Sequence, residues 1–156
     1  MLDWNKIKER TSELCSDAAQ KFRQYTPETF SKEKKFVNGV VISLALITMA
    51  DKKAETSEVT SCIDLINEID EIKDLEMTQD AIALYELHIE TLEKVIDNNI
   101  KWQIEVGKLL SEIGKLKPYP EYPPMIEALI NIVSESDGSL DPLETEMKEK
   151  ILMAIQ

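Results

Sequence analysis

The chain has 156 residues, 43% of them hydrophobic and only four of them glycine, which suits one folded domain and excludes a generally disordered polypeptide. Its net charge of −12 is unevenly placed: residues 1–35 hold eight Lys/Arg against six Asp/Glu, and the remainder holds ten against twenty-four. A body this acidic repels phosphate backbones, so no nucleic-acid partner is expected; cations or basic protein surfaces are the better candidates, with solubility alone as the plain alternative.

No stretch sustains apolar–polar alternation, whereas helical spacing recurs throughout, so the chain is expected to be an all-α, single-domain bundle of six to seven helices. The first helix is expected over about Asp3–Tyr25, with Ile7, Leu14, Ala18 and Phe22 on one stripe, ended by Thr26-Pro27. The N-terminus is charged within three residues and shows no apolar signal-peptide core. Membrane association through this helix, where Trp4 and Ile7 lie among Lys6, Lys8 and Arg10, is a weaker reading than packing on the bundle. Residues 1–28 therefore read as an amphipathic helix laid on a helical domain of residues 29–156.

The longest apolar run, FVNGVVISLALITMA from Phe36 to Ala50, is too short and too interrupted to cross a bilayer and reads as a buried central helix over Lys32–Ala50. Gly39 within it is expected to admit a close neighbour. A third helix is expected over Ser57–Ile69, carrying Val59, Ile63 and Ile66. The acidic stretch DEIKDLEMTQD then reads as a connection. Thr78 is the expected cap of a helix bearing Ile82, Tyr85, Ile89 and Leu92, and Asp97-Asn98-Asn99 reads as a break, or as a mere bend, before another helical stretch over Ile100–Leu116. KPYPEYPP cannot be helical inside; it reads as a stiff linker, or as a polyproline-type docking element. Helices over Pro124–Ser134 and Pro142–Ile155 complete the chain. Cys15 and Cys62 have no metal-type spacing and are expected as reduced thiols.

One acidic pattern occurs twice. Asp51, Glu55 and Glu58 in TMADKKAETSEVTS superpose on Asp137, Asp141 and Glu144 in SESDGSLDPLETEM. Helix capping explains much of the second copy: Asp141 suits the N-cap, Pro142 the first helical position, and Glu144 the third. It does not explain Asp137 or Asp51, and Glu55 is a poor N-cap. The functional reading is hard-cation binding. Two carboxylates about 5 Å apart at an effective dielectric near 20 repel by roughly 3 kcal/mol, which a divalent ion would relieve. Oxygen ligands favour calcium or magnesium over zinc. Neither copy is an EF-hand, because Pro142 and Thr56 stand where its glycine belongs, and Lys148 and Cys62 where its glutamate belongs.

FVNGVVISLALITMAD followed by TSE, together with NIVSESDGSLDPLETEMKEKIL, resembles the TerB family of tellurite-resistance proteins over residues 30–155. The resemblance implies a helical bundle with internal duplication, no catalytic activity, and acidic patches that bind divalent metal. The candidate ligands it implies are Asp51, Glu58, Asp137 and Glu144, with Glu55 and Asp141 secondary. It also implies partners among other tellurite-resistance proteins, a membrane component and calcium-binding proteins included; the expected location is cytoplasmic, from the reduced thiols, with a peripheral place at the inner membrane as the variant. Lys52 departs from the pattern by standing where the family has glycine, beside Asp51 as a candidate ion-pair partner.

No enzyme is expected. His88 is the sole histidine and reads as a helix-face residue, and neither a phosphate-binding glycine loop nor a nucleophile elbow is present. No organic cofactor and no small-molecule substrate are expected. The leading expectation is a calcium- or other divalent-cation-binding adaptor in stress resistance; the alternative is a metal-independent module whose acidic face meets a basic protein.

Overall fold

The structure, a computed structural model, describes residues 2–11, 32–136 and 142–156. Among these residues it is all-α, with helices α1 (Trp4–Thr11), α2 (Lys32–Met49), α3 (Thr56–Glu68), α4 (Asp70–Asp74), α5 (Thr78–Glu93), α6 (Asn99–Gly114), α7 (Tyr122–Ser136) and α8 (Pro142–Ala154). That is one or two more than the sequence suggests. The expected continuation of α1 to Tyr25 lies outside the described residues. No described helix is long and apolar enough to cross a membrane.

Helix α2 is the axis of the core. Every residue from Phe36 to Met49 is buried, and the helix packs against α3, α5, α6, α7 and α8. A helix apolar all round must be enclosed on all sides, and this one is. Its buried polar groups are satisfied within the fold: Ser43 Oγ donates to the Gly39 carbonyl at 2.8 Å, and Asn38 Oδ1 pairs with His88 Nε2 at 2.9 Å. Gly39 does admit a close neighbour, since an added Cβ would lie 2.5 Å from Leu116 Cδ1.

The segment that reads as a connection contains α4. Ile72 is fully buried in the core and holds this short acidic helix in place. Glu76, at φ 56, then closes it: its N–H donates to the Lys73 carbonyl at 2.9 Å and that of Met77 to the Ile72 carbonyl at 3.1 Å. These are the paired bonds of a Schellman stop, achieved without glycine. Met77, not Thr78, occupies the cap position of α5, and no side chain caps it. Asn98 caps α6, accepting from the Lys101 N–H at 3.1 Å, which explains the break after α5.

Helix α1 lies on α3 and α5. Ile7 is in the core, and Trp4 Nε1 donates to Glu93 Oε1 at 2.7 Å. The two groups that would seat this helix on a membrane are therefore engaged by the bundle. The proline-rich segment forms consecutive turns, through bonds from Tyr119 N–H to the Leu116 carbonyl and from Tyr122 N–H to the Tyr119 carbonyl, not an extended polyproline ribbon. Helix α7 starts at Tyr122, so Pro123 and Pro124 fall in its first turn, where missing N–H groups cost nothing. The segment is pinned to the start of α2: Lys32 pairs with Glu121 and lies 5.3 and 5.4 Å from the Tyr119 and Tyr122 rings, while Tyr122 stacks on Phe36 at 4.4 Å.

Candidate functional site

The first acidic turn joins α2 to α3. Lys52 adopts φ 61, the left-handed conformation that glycine takes readily and a lysine takes at a cost of about 1 kcal/mol. Its ammonium does not answer Asp51 but lies 5.0 Å from the Trp102 ring centroid, a contact worth about 0.5–1 kcal/mol at a surface. Asp51 Oδ1 instead accepts the Lys53 N–H at 2.9 Å, fixing the turn locally.

Glu55 is the N-cap of α3 after all, with extended backbone, and pairs with Glu58 in a reciprocal capping box. The bond from the Glu55 N–H to Glu58 Oε1 is long, 3.4 Å, so it secures the Glu58 carboxylate only weakly. Glu55 leaves the chain before the helix begins and faces a cleft of about 700 Å³ with Leu2, Lys52, Lys53, Glu93 and Asp97, where both signs of charge mix.

Glu58 points elsewhere. It lines a cleft of about 460 Å³ together with Glu144 from the first turn of α8, the matching position of the second acidic copy. Among the described residues the remaining lining comes from the end of α2 (Ile47, Thr48), from α3 (Ser57, Ser61, Cys62, Leu65) and from α7 (Ile132, Val133). On α3, Glu58, Cys62 and Leu65 recur at helical spacing and so share one face. Burial pushes Glu58 up from 4.5 to about 7, and the charges of Asp51, Glu144 and Glu55 push the same way against the lowering effect of the Glu55 amide. Two carboxylates from helix starts far apart in sequence thus open on one cleft, with Asp51 in electrostatic reach. Asp137 and Asp141 lie outside the described residues. Among the described residues no three His, Cys, Asp or Glu side chains gather into a metal-binding group.

The deep end of the cleft is polar. Thr48 Oγ1 donates its one proton to the Leu44 carbonyl at 2.7 Å, so Tyr85 Oη at 3.0 Å and Cys62 Sγ at 3.4 Å are the donors to it. Burial raises the Tyr85 phenol well above its ordinary value, keeping it neutral and a donor. Nothing in the spacing of Thr48, Cys62, Leu65, Ile132 and Val133 marks all five as lining a site. The face shared by Glu58, Cys62 and Leu65 is the one available signal, and the sequence holds nothing that brings α7 and α8 to it. His88 is no member of this site: it bonds to Asn38, near the opposite end of α2 from Thr48, with burial lowering it to about 4.

Comparison with protein-family models, with curated proteins and with solved structures finds no match.

Proposed function

We propose that the chain is a non-enzymatic binding module of the TerB type, an adaptor in tellurite or general stress resistance whose cleft between α3 and α8 takes a divalent cation such as calcium. The observation that carries this reading is the meeting of Glu58 and Glu144 in one cleft. Capping alone requires each to serve its own helix and gives no reason for the two to converge. Like charges held near one another in a partly desolvated site favour any cation that neutralises both. The all-helical architecture, and the left-handed turn at the position where the family has glycine, agree with the family resemblance. Its tellurite-resistance partners, a membrane component included, and a cytoplasmic or peripheral inner-membrane location belong to the same proposal.

Calcium titrated into chelator-treated protein while backbone amide shifts are followed tests it. Shifts confined to the first turns of α3 and α8, and abolished by Glu58→Gln with Glu144→Gln, are expected. No shift at millimolar calcium rejects it. A second reading, in which the acidic face meets a basic protein and no metal takes part, is favoured by the local engagements of Asp51 with the Lys53 amide and of Glu55 with Glu58. It predicts calcium-independent capture of a basic peptide.

A further inference from the structure

The cleft shared by Glu58 and Glu144 is larger than an ion needs. At about 460 Å³ it falls within the roughly 300–1,000 Å³ of organic-ligand pockets and matches about fifteen waters at ~30 Å³ each. Its walls are mainly apolar, formed by Ile47, Leu65, Ile132 and Val133, with the hydroxyls of Ser57 and Ser61 beside them. Its deep end carries Thr48 and Cys62, 5% and 7% exposed, with their polar atoms bonded to each other and to Tyr85. Its acidic groups among the described residues are Glu58 and Glu144. Apolar walls beside paired carboxylates match a ligand with two halves, an aliphatic stem and a positive head, the way lysine buries its stem and presents its charge.

We propose that this cleft binds a primary alkylammonium group, its methylenes against Ile47, Leu65, Ile132 and Val133 and its ammonium between Glu58 and Glu144. This rests on the reading of the cleft as a cation site and adds an organic ammonium to the cations it takes. A free diamine and the lysine side chain of a peptide carry the same chemistry.

The test is an amide-shift titration of the full chain with n-butylammonium, methylammonium, n-butyrate and, separately, calcium. Butylammonium is expected to shift Thr48, Glu58, Cys62, Leu65 and Glu144. It should bind about tenfold more tightly than methylammonium, since three further methylenes are about half buried against the open walls, while butyrate does not bind. Ile132→Ser, at a residue 57% exposed and therefore safe for folding, should weaken butylammonium about fivefold and leave any calcium response unchanged. Equal affinity for the two ammonium ions, or indifference to Ile132→Ser, overturns the proposal. A calcium response without a butylammonium response overturns it while leaving the metal reading intact; silence to both rejects both. Tighter binding of 1,4-diaminobutane than of the peptide acetyl-Gly-Lys-Gly-amide assigns the occupant as a free amine, and the reverse order assigns it as a partner's lysine.

Discussion

Replacing Glu58 by glutamine removes its charge while keeping its shape, and the structure sets the size and sign of the effect. Burial and the neighbouring carboxylates lift Glu58 from 4.5 to about 7. A displacement of that size corresponds to ~3.4 kcal/mol, but the side chain is partly exposed and solvent screening reduces this to about 1 kcal/mol. Because the folded-state value lies above the unfolded one, the native protein holds the proton more tightly. The associated stability is fully present below about 4.5 and is lost as the pH rises through 7. Glu58→Gln should therefore match the wild type near pH 4.5 and exceed it by about 1 kcal/mol at pH 8, roughly 2–4 °C in Tm for a chain of this size. Urea unfolding at pH 4.5, 6, 7 and 8, with chelator present, measures it. A difference that does not change with pH, or a glutamine variant less stable at pH 8, refutes the electrostatic account of the cleft.

His88 titrates with the opposite sign. Its folded-state value, lowered by burial to about 4, lies below its ordinary 6.5, so stability is full above 6.5 and lost as the pH falls towards 4. The residue keeps some contact with solvent, so that loss is set at about 1–2 kcal/mol by pH 4.5, and unfolding of His88→Gln across this range should lack it. Gly39→Ala gains helix propensity but drives a Cβ to 2.5 Å from the buried Leu116 side chain; thermal unfolding should show a net loss of about 1 kcal/mol. Tyr85→Phe removes the donor to Thr48 at the cleft's deep end, and denaturant unfolding should show a loss of about 1–2 kcal/mol.

Helices whose limits rest on local chemistry are legible in the sequence. Helix α2 is announced by its apolar run, α6 by the polar triplet Asp97-Asn98-Asn99, and α8 by Pro142, and the observed limits fall within a residue or two of the expected ones. Helix α4 is not legible, because its acidic composition describes only its solvent side. One residue, Ile72, does the anchoring, and a single apolar position carries no periodicity. The start of α5 at Met77 is likewise set by the chain's path out of α4 and not by a capping side chain.

The acidic repeat treats Glu55 and Glu58 as one group. The structure separates them, because Glu55 precedes the helix in extended backbone and Glu58 lies within its first turn. The meeting of Glu58 with Glu144 depends on α7 and α8 packing on α2 so that they face α3 across the cleft, a tertiary arrangement that spacing along the chain does not contain.

Manganese broadening of amide signals tests most directly whether the starts of α3 and α8 hold one cation between them. Micromolar Mn²⁺ should broaden the first turns of both helices together, with a single midpoint, and calcium should reverse both. Broadening at one helix alone, two separate midpoints, or none at either would contradict the shared site.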